Sequence, residues 1–255
     1  MTDTFAAQMK KETGELGLCL SEKQLEQFFR YYELLVEWNQ VMNLTAITEE
    51  REVVRKHFVD SLSLVKAAEG LSALCGQSEG ASLRVIDVGT GAGFPGIPLK
   101  IAFPQLQVTL LDSLNKRVKF LNTVCGELGL LGIQAVHGRA EDFGRMADYR
   151  EQFDLCVSRA VANMASLSEY CLPFVKTGGR FIPYKSGEID EELAGAERAV
   201  SLLGGERRGV VRFVLPGGEE TRSLVVIEKK RPVPKKYPRK AGLPAKEPIR
   251  QLEKM

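Results

Sequence analysis

The segment Arg84–Phe103 reads RVIDVGTGAGFPGIPLKIAF. An apolar run carries Asp87 near its end, and Gly89, Gly91, Gly93 and Gly96 follow before a helix-like stretch. Glycine permits positive φ and close backbone approach, at an entropic loss on folding. Four so close together point to a backbone wrapped against a ligand, with a bare strand-to-helix turn as the alternative. Asp112 ends the next apolar run, about twenty residues past the glycines, where an acid can accept from ribose hydroxyls. Glu141 and Asp142, in GRAED after the third run, add a third acidic place. For these two the alternative is ordinary capping of a helix by acids.

Two ligand classes fit the loop. Gly91, Gly93 and Gly96 match G-x-G-x-x-G, the dinucleotide pattern. Asp87, Gly89, Gly91 and Gly93 match D-x-G-x-G-x-G, in which the backbone approaches an adenosyl amino acid. Registration separates them. In the dinucleotide pattern the first glycine closes the strand and the helix N-terminus meets a pyrophosphate. Here Gly89 closes the strand and Asp87 lies just before it. A carboxylate at that point suits the ammonium group of S-adenosylmethionine and not a pyrophosphate. Pro95 fixes the entry into the helix. The alternative, a nicotinamide-dependent oxidoreductase, needs a spaced Tyr/Lys pair or a histidine in register. Tyr184 and Lys185 are adjacent instead. A second alternative, a non-catalytic RNA-binding protein on the same fold, predicts a damaged loop, and this one is intact.

Such a loop needs strands alternating with helices to hold it. LRVIDV, VTLLD, IQAVHG, FDLCVS and GGRFIPYK read as five strands separated by helical stretches. RGVVRFVL and RSLVVIEKK form two more, joined by the hairpin signal PGGEETR. The pattern predicts an α/β fold: a Rossmann-like, doubly wound, mostly parallel seven-stranded sheet with an antiparallel edge. Two amphipathic helices precede it, Ser21–Asn39 capped by Ser21 and Glu49–Ala68 with Thr48 as cap. The expected organisation is a helical extension over 1–76, a ligand-binding domain over 77–230 and a basic tail over 231–255. The polar segment Gln77–Ser82 reads as a linker, and the proline- and lysine-rich tail as extended or loosely ordered.

Composition narrows the class. The 255 residues are 44% apolar and 27% charged, with a formal net charge of +2. Lys229–Lys240, KKRPVPKKYPRK, nevertheless holds seven basic residues and no acid, a footprint for a polyanion. Five cysteines without a C-x-x-C and two histidines argue against a disulfide framework or a metal site and for a reducing compartment. No apolar stretch approaches the roughly 20 residues of a membrane span. The N-terminus has no signal-peptide core. The expectation is a cytoplasmic protein with no membrane partner, monomeric, and without a metal.

The ordered set WNQVMNLTAI (Trp38–Ile47), KHFVDSL (Lys56–Leu62), DVGTGAGFPGIPL, LLDSLNKRVKFL, SRAVA (Ser158–Ala162) and KKYPRKAGLPAKEPI resembles the RsmG family, also called GidB. These are 16S ribosomal RNA guanine-N7 methyltransferases, and the likeness runs from about Leu20 to Ile249. The glycine loop alone is a weak signal; the ordered set is specific. The resemblance implies a class I S-adenosylmethionine-dependent methyltransferase sheet with an N-terminal helical extension. It implies methyl transfer to one guanine in the 530 loop of 16S rRNA, on the 30S subunit or its precursor. It also implies cofactor contacts at Gly89 and Phe94, a ribose contact at Asp112 and adenine-side contacts at Ala140 and Glu141. It places Arg159, in the loop after strand four, facing the methyl-transfer site. Arg159 is the candidate catalytic residue and part of the cofactor set with Asp87, Gly91 and Gly93.

Guanine N7 has an in-plane lone pair and no proton, so its methylation requires no general base and no triad. Positioning carries the rate. Ser158-Arg159-Ala160-Val161 is not the N/D-P-P-Y/F turn of exocyclic amino methylation, and Cys156, inside a strand, reads as core rather than as a nucleophile. His57 and Asp60 share a helix face and border either the cofactor mouth or the RNA; a packing hydrogen bond is the alternative. Candidate RNA contacts are His57, Lys116, Arg117, Arg139, Lys185, Lys235, Lys236 and Arg239, with Tyr237 as a stacking ring. For any one of them a solvated surface charge is the alternative.

Overall fold

The computed structural model describes residues 1–67, 82–159 and 162–249. Residues 77–81 of the expected linker Gln77–Ser82, Cys75, Ala68, and Ala160 and Val161 of the SRAVA motif lie outside the described residues.

Seven strands form one sheet in the order β3-β2-β1-β4-β5-β7-β6. They are β1 (Arg84–Val88), β2 (Gln107–Asp112), β3 (Ile133–His137), β4 (Phe153–Arg159), β5 (Val175–Ser186), β6 (Gly205–Val214) and β7 (Thr221–Lys229). Strands β3, β2, β1, β4 and β5 pair in parallel, while β7 is antiparallel to both β5 and β6. The expected antiparallel edge is there, made by the hairpin. Strand order reverses between β1 and β4, the switch point outside which ligands bind in such sheets.

The central strands β1, β2 and β4 are buried on both faces, which explains their apolar runs, whereas β3 and β6 at the two edges are half-buried or exposed along most of their length. Val85 faces one core with Val108, Leu155 and Ile182; Ile86 faces the other with Leu111, Cys156 and Phe181. The first core is closed by α1 (Asp3–Gly14), α2 (Glu22–Met42) and the helical run from α3 (Glu50–Val53) through a π turn (Val54–Val59) into α4 (Asp60–Leu62). α5 (Gly96–Ala102) and α6 (Asn115–Glu127) also lie on this side. The second core is closed by α8 (Met164–Cys171) and α9 (Asp190–Leu202), with the short α7 (Ala140–Phe143) at its margin.

Helix α2 begins with a capping box: Gln24 N donates to Ser21 Oγ at 3.3 Å, and Ser21 N donates to Gln24 Oε1 at 2.9 Å. The same Gln24 amide donates to the carbonyls of Ile101 and Ala102, tying the extension to the end of α5. Trp38 packs on Phe120 of α6, with ring centroids 5.7 Å apart. These contacts fix the angle of the extension against the sheet.

Three local expectations change. The stretch before Leu16, to which the sequence pattern assigns no element, is helix α1, because Phe5 and Met9 at i, i+4 are fully buried and Thr2 Oγ1 caps Phe5 N. The second helix is capped by Glu49, whose carboxylate accepts from Glu52 N at 2.9 Å, not by Thr48. The basic tail is docked through residue 249. Arg150 donates to the Val233 and Tyr237 carbonyls, Arg145 to those of Lys236 and Pro238, and Tyr237 is buried. Tyr237 is therefore unavailable as a stacking ring. α10 (Leu243–Lys246) ends the described chain's regular structure.

Candidate active site

The glycine loop is held from three sides. Asp87, fully buried, accepts from Thr90 Oγ1 at 2.7 Å and from Gly96 N at 2.8 Å through one carboxylate oxygen, so it folds the loop back onto the strand end. Its other oxygen has no partner. Burial raises the Asp87 pKa to about 6, against the hydrogen bonds that lower it. Asp87 thus pins the loop through one oxygen. Asp112, buried at the end of β2, accepts from Gly91 N at 2.9 Å and Leu114 N at 2.8 Å. Tyr31 of α2 donates its hydroxyl to the Ala92 carbonyl from the far side. Gly91 has φ +62°, and a Cβ there would meet nothing within 4 Å. The outer side of the loop is thus open where a ligand would lie.

A cleft of about 350 Å³ runs along the carboxyl ends of β1, β2 and β3, lined by Gly89, Leu114, Arg139, Ala140, Glu141 and Tyr170 among others. Glu141 is buried, and Asp112 retains lone pairs beyond the two amides it already accepts from. An open glycine loop, an acid at the end of β2 and a mixed apolar-acidic wall fit an adenosyl group. Phe94 lies in the same loop. Its ring stacks on His57 (4.5 Å between centroids, 18° between planes) and on Tyr31 (5.4 Å). These contacts pack the loop against the extension.

Arg159, the last residue of β4 rather than a loop residue, lies 5.0 Å from the Phe94 ring centroid and so meets the glycine loop. One η nitrogen donates to Asp60 Oδ2 at 3.0 Å and the Lys56 carbonyl at 3.1 Å; the other donates to His57 Nδ1 at 3.3 Å. An arginine only donates, so His57 Nδ1 is the acceptor and its Nε2–H faces Thr45 Oγ1 at 2.8 Å. Burial and the nearby guanidinium lower the His57 pKa to about 3, which leaves the ring neutral near pH 7. Arg159 opens onto a second cleft of about 470 Å³, with Lys56, Asp60, Tyr184, Lys185, Glu192 and Arg222 on its walls. His57 and Asp60, expected to share a face, both serve Arg159. The π turn that carries His57 gives no readable sequence signal. Arg222 was missed because in RSLVVIEKK it reads as an ordinary strand arginine.

The remaining basic candidates divide. Lys116, Arg139, Lys235 and Lys236 are exposed. Arg117 is paired with Asp112 at 3.5 Å, and Lys185 with Glu192 at 2.7 Å beside the second cleft. Arg239 is committed to buried Glu169, which it grips with Nε and an η nitrogen. Cys156 is buried in β4, where burial pushes its thiol pKa well up, as befits a core residue. Among the described residues no group of three His, Cys, Asp or Glu could hold a metal, and no helix is long and apolar enough to cross a membrane.

The parallel sheet with its antiparallel hairpin edge, the loop at the switch point and the acid ending β2 define a class I S-adenosylmethionine-dependent methyltransferase. Solved structures share this fold. A mutant of MtNAS in complex with S-adenosylmethionine matches with a TM-score of 0.51 at 18% identity, over 88% of this chain and 77% of that one. The YcgJ protein from Bacillus subtilis matches with a TM-score of 0.50 at 14% identity, over 69% and 100%. The model of the family "GidB: rRNA small subunit methyltransferase G" matches residues 24–224, and the chain belongs to that family. Relatives named ribosomal RNA small subunit methyltransferase G include one from Lachnoclostridium phytofermentans, 56% identical over 92% of this chain and 93% of its own. Another, from Lactococcus lactis subsp. cremoris, is 50% identical over 92% and 95%. The nicotinamide and non-catalytic alternatives fall with this membership.

Proposed function

We propose that this enzyme methylates N7 of a guanine in the 530 loop of 16S rRNA, on the 30S subunit or its precursor, as a cytoplasmic monomer. The observation that carries the reading is the contact between Arg159, on the wall of the second cleft, and Phe94 of the glycine loop. When bound, S-adenosylmethionine supplies an electrophilic methyl group. Gly89, Gly91, Asp112, Ala140 and Glu141 are the residues to hold it in the first cleft.

The chain's own work is positioning. Arg159 keeps a limited exposure of 14%, and beyond the three N–H groups already engaged its guanidinium has two more for the O6 edge of guanine, whose N7 lies alongside. Asp60, His57 and the Lys56 carbonyl fix that fork before substrate arrives. No proton leaves N7, so the neutral His57 is not needed as a base. The methylated ring is cationic, and the Asp60 and Glu192 carboxylates on the cleft wall offset that charge. Lys116, Arg139, Lys235 and Lys236 are free to meet phosphates.

The test is methyl transfer to unmodified 16S rRNA, naked and in assembled 30S particles. Borohydride and aniline then cleave the strand at N7-methylguanosine. Scission in the 530 loop is expected. Methyl incorporation without scission would exclude N7 as the target.

A further inference from the structure

We propose that the C-terminal segment Val233–Ile249 is the outer wall of the cofactor cleft, and that Glu169 and Arg239 are the positioning pair that holds it there. The proposal rests on the first cleft being the S-adenosylmethionine site. Gly242 lines that cleft, and its N–H donates to Glu141 Oε1 at 2.8 Å. A loop residue of the segment thereby orients one of the cleft's acidic walls. Gly242 adopts φ +82°, the left-handed conformation that lets the chain turn at this point.

Helix α8 is built to receive the segment. Ser166, Glu169 and Tyr170 fall at i, i+3 and i+4, on one face. Ser166 Oγ donates to the Pro244 carbonyl at 2.7 Å. Glu169 is fully buried and accepts from the backbone N of Arg239 at 2.7 Å, from its Nε at 2.9 Å and from an η nitrogen at 2.7 Å. Arg239 in turn reaches the Glu247 carbonyl at 2.7 Å, closing the segment on itself. Tyr170, next to Glu169, lines the cleft beside Gly242. A bidentate pair fixes orientation, and removing one partner strands a buried charge, so the clasp holds a defined geometry. Opening it withdraws Gly242 from Glu141 and leaves the cleft one wall short, while the sheet and the Arg159 cluster stay in place.

Titration calorimetry with S-adenosylhomocysteine on the full chain, Arg239→Gln and Glu169→Gln reads this directly, with circular dichroism as the fold control. Wild type is expected to bind, and each variant to bind about tenfold more weakly or worse. The KM for S-adenosylmethionine should rise while kcat at saturating cofactor stays within about twofold of wild type. By reciprocity the ligand should slow tryptic cleavage of wild type after Lys235, Lys236 and Lys240 about fivefold or more. That measurement needs no variant and stands even if both variants misfold. Wild type failing to bind would remove the cofactor reading and this proposal with it. Wild type binding while folded variants bind equally well, or cleavage unaffected by ligand, would overturn the proposal alone.

Discussion

Asp60 stands between two arginines, accepting from an η nitrogen of Arg159 through one carboxylate oxygen and from Nε of Arg222 through the other, each at 3.0 Å. All three side chains belong to different elements, the helical run of the extension, β4 and β7. The extension therefore contributes Asp60 to the wall of the second cleft and is not only a cover for the sheet.

Replacing Asp60 by Asn keeps the size but turns one acceptor into a donor facing an arginine. Breaking one partner of a buried pair costs about 3 kcal/mol or more of stability. A misplaced reacting group lowers turnover about 100-fold. Asp60→Asn is thus expected to lose turnover to that extent, with S-adenosylhomocysteine affinity within about threefold of wild type. Single-turnover methyl transfer and calorimetry measure the two. An equal loss in both would make Asp60 part of the cofactor site.

Asp87 and His57 give stability opposite pH dependences. The Asp87 pKa is raised from 3.8 to about 6 in the folded state, so between those values the folded chain binds more protons than the unfolded one. Its contribution is fully present below 3.8 and is lost as pH rises through about 6. The ceiling on that loss is about 3 kcal/mol. For His57, lowered from 6.5 to about 3, the contribution is present above 6.5 and is lost as pH falls toward 3. The melting temperature of Asp87→Asn relative to wild type should therefore climb from pH 4 to pH 7. That of His57→Gln should fall over the same range. A pH-independent difference for either variant would refute its assignment.

What the sequence made legible follows physical reach. Strands buried on both faces announce themselves as apolar runs, and the hairpin edge by PGGEETR, because those signals are local. The glycines and Asp112 were legible because a loop at a switch point has few chemistries. Helix α1 was not, since only Phe5 and Met9 mark its buried face among polar neighbours. The docking of the tail was hidden for a different reason. Proline and lysine read as extended chain, and the partners that hold it, Arg145, Arg150 and Glu169, lie far off in sequence. Asp60 was legible as a site residue, but its double arginine partnership depends on β7, far off in sequence, pairing beside β5.

The glycines of the loop separate binding from folding. At Gly96 a Cβ would collide with the Leu110 side chain and stand 3.0 Å from Asp87 Oδ2, so Gly96→Ala strikes the packing beneath the loop. It is expected to lower stability by about 1–3 kcal/mol. At Gly91 the space is open but φ is +62°. Gly91→Ala should cost about 1–2 kcal/mol of conformational strain. Its main effect should be on S-adenosylhomocysteine, whose affinity drops as the new methyl group enters the ligand's path. Denaturant melts with calorimetry distinguish the two. Gly91→Ala with unaltered affinity would place the ligand elsewhere.

Basic residues in the tail should divide by whether their charge is already used. Lys235, Lys236 and Lys240 are exposed, whereas Arg239 is bound to Glu169. Each lysine that neutralises a phosphate releases counterions and adds about 0.7–0.9 to the slope of log affinity against log salt. Changing the three lysines to serine should flatten that slope for 16S rRNA by about 2 and leave S-adenosylhomocysteine binding unchanged. Arg239→Gln should do the reverse, weakening the cofactor while the salt slope shifts by less than about 0.5. Filter binding of RNA over a salt series, beside calorimetry on the same samples, reads both. A triple lysine variant with the wild-type slope would take the tail out of the RNA interface. An Arg239 variant with a flattened slope would mean its guanidinium leaves Glu169 for a phosphate when RNA binds.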